Sequence, residues 1–361
     1  MHALELASMP LEWVLGRGDE SFIVLSSRIR LARNLAKYPF PWRCDRDSLC
    51  EVEDLVVEAV SKSLVLRSSS TLKLRQMDKI ARMVLVENHL VSPNFIRGDD
   101  VGRAVIFDDR GIVSLMLNEE DHLRIQVFLG GLQLHEAWHV AKKVDGELEC
   151  LDYAFNCERG YLSSCPTNTG TGLRASVMLH IPGIVTLGHV GHVARECNRV
   201  GLTVRGMYGE GTPAGGCLFQ VSNQVTLGLS EEELVEKVNS VALGIVEREH
   251  FAREKLIKQR GIDFVDKIWR SFGIVSCARK LSVKEALELL SKVRMGSEMG
   301  ILPPIPKSEL NRMILNSQPG HVIALSKSRE EEKINDIRYI ATRRAEILRD
   351  KMSRFLNCKE N

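Results

Sequence analysis

Between Phe22 and Gln224 the chain alternates short apolar runs with glycine turns and with segments of helical spacing. Phe22-Ile23-Val24-Leu25, Ile112-Val113-Ser114-Leu115-Met116-Leu117 and Ile125-Gln126-Val127-Phe128-Leu129 read as buried strands. After residue 230 the period changes. Ser230-Glu231-Glu232-Glu233 has the form of a capping box, and Leu234, Val238, Val241 and Ile245 follow at helical spacing. The charged stretch from Glu249 to Arg260 reads as a solvated helix end or a connector. Ser282-Val283-Lys284-Glu285 opens another helix, carrying Ala286, Leu287, Leu290 and Val293. Gly300 to Pro306 breaks the chain, and a last helix is expected from about Arg329 to Leu356. The pattern predicts a leader over 1–20, a mixed strand-and-helix domain over 21–255 and a helical domain over 256–361. No internal repeat or low-complexity segment interrupts it.

Composition narrows the class only modestly. With 361 residues, 44% hydrophobic and 27% charged, the chain is long enough for two domains. No apolar run approaches a membrane span and no signal-peptide pattern opens the chain, so no membrane partner is expected. Nine irregularly spaced cysteines suit a reducing compartment, and cytoplasm is the natural expectation. A net charge of +2 gives no nucleic-acid signature, and none is expected as a partner.

The candidate chemistry lies where charge interrupts the apolar pattern. Asn118-Glu119-Glu120-Asp121-His122-Leu123-Arg124 breaks two strand-like runs, a place where loops usually carry function. Cys165-Pro166-Thr167-Asn168-Thr169-Gly170-Thr171-Gly172-Leu173-Arg174-Ala175-Ser176 joins a thiol, small residues that let backbone N–H groups approach an anion, and an arginine fork. On its own, this segment reads equally well as an ordinary turn beside a buried thiol. Val204-Arg205-Gly206-Met207-Tyr208-Gly209-Glu210 adds an arginine and a carboxylate. Ser26-Ser27-Arg28-Ile29-Arg30 puts two guanidinium groups on one face of a strand, where they repel unless an anion lies between them.

Five arginines (Arg28, Arg30, Arg124, Arg174, Arg205), two carboxylates (Glu120, Glu210) and one thiol (Cys165) therefore stand out. The phosphate loops of other kinases are missing: no Gly-x-x-x-x-Gly-Lys-Ser/Thr, His-Arg-Asp or Asp-Phe-Gly occurs. An arginine basket with Mg²⁺ is another way to hold a triphosphate. Carboxylates suit a cationic acceptor such as a guanidinium, and one of them can take its proton. Against this stands Leu134-His135-Glu136-Ala137-Trp138-His139, which matches a zinc-protease helix with Glu158 or Asp152 as a third ligand. We read His135 and His139 as helix-surface or packing residues instead, because such motifs are permissive.

Taken together, the four charged motifs resemble those of the phosphagen kinases, the ATP:guanidino phosphotransferases, over roughly residues 20–250. The resemblance implies an α+β fold, an antiparallel sheet flanked by helices, with a C-terminal helical domain. It implies ATP and Mg²⁺ as cofactors, with no metal site of the protein's own. Glu120, Glu210 and Cys165 take the catalytic positions, with Glu120 favoured as base. Nucleotide contacts fall on Ser26, Ser27, Arg28, Ile29 and Arg30, on His89 and Arg124, and on Arg174, Ala175, Ser176, Val177 and Met178. They continue through Arg205, Gly206, Met207, Tyr208, Gly209 and Glu210. Only twenty-five residues precede Ser26, too few for the N-terminal helical domain of the metabolite-specific members, and Met178 stands where those carry histidine. The layout is similar to a bacterial branch that phosphorylates arginine side chains within proteins. That likeness implies arginine-containing protein substrates, a homodimer, a small zinc-binding activator protein and a Clp protease complex as partners. A small-guanidine acceptor stays open. In that branch the last helix carries Arg-Asp-x-x-Arg-Ala; Ile340-Ala341-Thr342-Arg343-Arg344-Ala345 lacks the leading pair and is expected to be a solvated charged helix.

Overall fold

The computed structural model describes residues 2–206, 215–326 and 336–356. Its strands are β1 (Val24–Arg33), β2 (Ser70–Lys73), β3 (Ala104–Phe107), β4 (Val113–Leu117) and β5 (Leu123–Gly130). They continue with β6 (Phe155–Asn156), β7 (Gly160–Tyr161), β8 (Leu173–His180), β9 (Leu202–Gly206) and β10 (Leu218–Asn223). Its helices are α1 (Ala3–Ala7), α2 (Arg46–Lys62), α3 (Lys79–Glu87), α4 (Leu134–Glu147), α5 (Pro182–Thr186) and α6 (Val190–Arg199). The remainder are α7 (Glu231–Cys277), α8 (Val283–Glu298), α9 (Lys307–Asn316), α10 (Pro319–Ala324) and α11 (Ile337–Leu356).

Eight strands form one antiparallel sheet in the order β2-β3-β4-β5-β1-β8-β10-β9, with β1 near its middle. Successive side chains on a strand point to opposite faces. Ile29, Leu31, Ile125, Val127, Ala175, Val177 and Val221 all turn to one face, where they are buried against α4, α6 and α7 in the largest core. That burial removes the apolar half of every central strand from water, and the polar half is left on the other face. A second core joins α7, α8, α9 and α11, and a third packs the leader and α3 around Trp13, Phe128 and Leu315.

Ser230 and Glu233 close the expected capping box at the start of α7, and Ser282 accepts from Glu285 N at α8. The Glu249–Arg260 reading is corrected at its start. Residues 257–260 are exposed and end at the break in helical backbone at Gly261 (φ 46°, ψ −121°), whereas Glu249 and Arg253 are buried inside α7. Their charges have partners: Glu249 accepts from Gly183 N and Ile184 N at 2.8 and 2.9 Å, and Arg253 reaches Glu249 at 2.6 Å and also Glu298. The Ile340–Ala345 reading is corrected too. Ala341, Arg344 and Ala345 are buried, and Arg344 donates to Ser317 O at 2.5 Å and Leu281 O at 2.9 Å. The last helix is described from Ile337; residues 329–335 lie outside the described residues.

The helical region is fastened to the leader as well. The buried Arg294 donates to Phe22 O, Ser21 O and Asn311 Oδ1 at 2.8, 2.6 and 2.6 Å, and Asn311 Nδ2 donates to Val14 O at 3.1 Å. Among the described residues no helix is long and apolar enough to cross a membrane.

Candidate active site

Strand register builds the site. Arg30 lies opposite Gln126 on β5 and Arg174 on β8; Arg28 lies opposite Phe128 and Ser176. Ser176 faces Ser222 on β10, Met178 faces Gln220, and Gln220 faces Arg205 on β9. Directly opposed residues share a face, so all of these side chains belong to the face that the core leaves open. Arg28, Arg30, Arg174 and Arg205 line a cavity of about 410 Å³ there.

Neutral partners hold Arg28 and Arg174. Arg28 donates to Gln220 Oε1 at 2.7 Å, and Arg174 donates to Ser222 Oγ at 3.1 Å. Arg30 Nε and Arg174 Nε are buried with no hydrogen-bond partner. Among the described residues no carboxylate lies within ion-pair distance of Arg28, Arg30 or Arg174. Burial, reinforced by Arg174 and Arg124, pushes Arg28 down to about 10. Burial and then Arg28, Arg124 and Arg174 hold Arg30 well below the usual guanidinium value, with Glu119 opposing them. Arg174 is lowered by burial and then by Arg205 and Arg124. Arginine does not give up its proton in practice. The shifts therefore reflect burial first and mutual repulsion second, and an anion in the cavity relieves both.

Beyond Arg30 the face ends at the acidic turn. Asn118 takes up φ 57°, a conformation asparagine tolerates, and its side chain donates to Leu49 O and Gly102 O at 2.9 and 2.7 Å. Glu119 and Glu120 then flank Arg124, at 2.7 and 3.2 Å. Asp121 points inward and ties three segments together. It accepts from Asn34 Nδ2 at 2.7 Å, from Ser163 Oγ at 3.0 Å and from Ser164 N at 2.8 Å. That clamp delivers Cys165, the next residue, to the acidic turn. Gly172 closes the loop at φ 65°, where a Cβ would stand 2.7 Å from Ala32 O. Glu120, Cys165, Thr167, Arg30, Arg124 and Arg174 share a cavity of about 130 Å³. Cys165 Sγ lies 3.0 Å from Thr167 Oγ1, and the Glu120 side chain is 44% exposed, open to an incoming group.

At the opposite end His89 terminates α3 with φ 61°, its carbonyl accepting from Gln126 Nε2 at 2.6 Å. Its ring stands 5.5 Å from those of Trp13 and Phe128. Burial, then Arg28 and His321, push its imidazole down to about 4, so it is neutral at pH 7.

The strand alternation divides the candidate nucleotide residues. Ser26, Arg28, Arg30, Arg174, Ser176, Met178, Arg205, Gly206 and His89 line the open face. Ile29, Ala175 and Val177 turn into the core, and Ser27 donates to Gly131 O behind the sheet. Met207, Tyr208, Gly209 and Glu210 lie outside the described residues. Sequence reasoning passed over Gln126, Gln220 and Ser222, although each follows the period-two pattern of its strand. It also passed over Trp13, Glu87, Ile314 and Gln318, which line the site from elsewhere in the chain. His135 stands on α4 and pairs with Glu236 at 3.0 Å. Among the described residues no three metal-ligating side chains gather.

Comparison with known proteins identifies the family. Residues 51–252 match the model of the ATP:guanido phosphotransferase C-terminal catalytic domain, and residues 261–361 match the protein-arginine kinase McsB C-terminal domain. The protein-arginine kinase of Halothermothrix orenii is 43% identical over 342 residues, 94% of this chain and 96% of that protein. That of Moorella thermoacetica is 46% identical over 85% of this chain and 89% of its own length, and that of Bacillus subtilis 41% over 96% and 94%. Among solved structures, a lombricine kinase superposes with a TM-score of 0.58 at 23% identity, covering 67% of this chain and 72% of the other. At that identity the likeness speaks for the fold alone.

Proposed function

The chain belongs to the ATP:guanido phosphotransferases, in the protein-arginine kinase branch, and from that premise we propose that it transfers the γ-phosphoryl group of ATP to arginine side chains of proteins. The observation that carries this reading is the trio Arg28, Arg30 and Arg174, which no carboxylate among the described residues meets at ion-pair distance, bordered by a cavity that holds Glu120 and Cys165.

In the proposed mechanism the triphosphate lies along the open face. Arg28, Arg30, Arg124 and Arg174 meet charge that spreads over the phosphoryl oxygens in the transition state. Mg²⁺ would be held mainly by the phosphates and water. The donor set suits that habit, because Glu119 is engaged by Arg124 and Ser92. When bound, the ion supplies neutralisation of the phosphate charge.

The acceptor guanidinium enters beside Glu120, which exchanges its 3.2 Å contact with Arg124 for the incoming cation. As the N–P bond forms, the bond from phosphorus to the bridging oxygen breaks and ADP departs. The nitrogen's proton passes to a carboxylate, and we assign Glu120 that role. Glu210 is proposed as the second carboxylate on the family resemblance. Cys165 stands in the same cavity and, as a thiolate, would orient the acceptor by charge without a covalent intermediate. On the same reading the modified proteins are routed to a Clp-type protease, a small zinc-binding protein acts as activator, the working form is a homodimer, and the cytoplasm is the site of action. These extensions rest on the branch resemblance.

The test is phosphorylation of an arginine-rich protein with MgATP, locating acid-labile phosphate by fragment mass spectra. Glu120→Gln is expected to abolish transfer while ADP still binds. Cys165→Ser is expected to slow transfer more than it weakens ADP binding. Turnover of free arginine without protein phosphate would overturn the choice of acceptor.

A further inference from the structure

The open face has two ends. On β5, Arg124 stands beside Glu120 and the cavity of Cys165. Phe128, four residues on and so about 13 Å away, stands beside Trp13 and His89. On the reading proposed above, phosphoryl transfer occupies the first end, so the nucleoside of ATP extends toward the second. The catalytic segment does not build that end alone. Ile314 lines its apolar recess and Gln318 lines the larger cavity, both supplied by the helical region.

We propose that Gln318 is a nucleoside-binding residue, so that the helical region completes the nucleotide site. The argument begins with how the residue is held. It sits in the turn between α9 and α10. On one side, Ser317 O accepts from Arg344 of α11 at 2.5 Å, and Ser317 Oγ donates to Ile314 O at 2.6 Å. On the other, Glu87 at the end of α3 accepts from Gly320 N at 2.7 Å, His321 N at 2.9 Å and His321 Nδ1 at 2.7 Å. A turn fixed from both sides holds the backbone, and Gln318 Nε2 donates to Ile314 O at a long 3.4 Å. The side chain is thus placed before the ligand arrives, which lowers the entropic cost of binding.

Charge then selects the ligand. Glu87 lines the same cavity as Gln318, and a carboxylate repels phosphate oxygens. What fits beside it is polar and uncharged, rich in donors and acceptors, as a ribose and a purine base are. An amide side chain both donates and accepts, so Gln318 can answer either kind of group.

The test compares two ligands in the full chain: ADP, which carries a nucleoside, and inorganic triphosphate, which does not. Gln318→Ala is expected to weaken ADP binding about ten-fold, the scale of one lost polar contact, with inorganic triphosphate binding as it does to the wild type. The near-isosteric Gln318→Glu, which adds charge without a cavity, is expected to weaken ADP further. Arg30→Gln is the contrast, expected to weaken both ligands. Equal weakening of ADP and triphosphate by Gln318→Ala, or no weakening of either, overturns the proposal. If the wild type binds neither ligand, the phosphotransfer reading falls with it, whereas wild-type binding without the Gln318 difference sinks this inference alone.

Discussion

Arg30 and Arg33 stand three residues apart on β1, and their surroundings are opposite. Arg33 points to the core side. It is gripped by Asp145 at 2.6 Å, donates to Ala32 O and Thr171 O at 2.9 and 3.0 Å, and lies 3.5 Å over the ring of Tyr161. Arg30 points to the open face, with other guanidinium groups as neighbours and a buried Nε that no partner meets. Arg253 and Arg294 resemble Arg33: every buried structural arginine named here is answered by carboxylates or carbonyls of its own chain. The lesson is that burial of a cation does not reveal its purpose, but the identity of its neighbours does. Where the chain supplies the counter-charge the arginine stabilises the fold, and where it withholds it the arginine awaits a ligand.

Substitution can break this contrast. Arg33→Gln is expected to cost about 3–5 kcal/mol, because it leaves Asp145 buried without its partner; urea midpoints measure it. Arg30→Gln is expected to slow phosphoryl transfer by about 10²–10³, the scale for one group that stabilises transition-state charge. Its urea midpoint should hold or rise, since repulsion within the basket falls. A loss of stability in Arg30→Gln equal to that in Arg33→Gln would erase the distinction.

A smaller effect separates buried cations from buried neutral groups. His89 and His122 are both pushed down to about 4, chiefly by burial. Between pH 6.5 and about 4 the unfolded chain binds protons at these positions that the native state refuses. Stability therefore falls with decreasing pH in that window, by about 1.4 kcal/mol per pH unit for each histidine at most. Denaturant midpoints at pH 7, 6 and 5 check the slope, and His122→Gln should make it shallower. An unchanged slope in that variant would mean His122 carries a proton when folded.

The sequence exposed the arginine-lined end of the candidate site far better than the end beside Gln318. Arg28 and Arg30 announce a shared strand face by their spacing, and the acidic turn and cysteine loop each concentrate their chemistry within a few residues. Ser230 and Glu233 announced a helix start for the same reason: the interaction that matters is local. Gln318 carries no such signal, because its meaning depends on α3 and α11 holding a turn against a distant sheet. Glu249 and Arg253 misled for a related reason. A composition count registers charges, whereas their burial depends on Gly183, Ile184 and Glu298, which lie far along the chain. Ile29 and Ala175 sit inside the candidate nucleotide-contact stretches, yet strand alternation turns their side chains to the core.

Helix α7, kinked at Gly261, carries the chain from the segment matching one family model into the segment matching another. Glu249 on that helix caps α5 and shares Arg253 with Glu298 of α8. In hereditary terms the two segments are not interchangeable cassettes. A recombination joint near residue 256 would separate Glu249 from Glu298 and the open face from Gln318, so a foreign helical region would have to restore both a buried charge balance and a wall of the cavity. Replacing one half without the other would therefore leave both to be rebuilt.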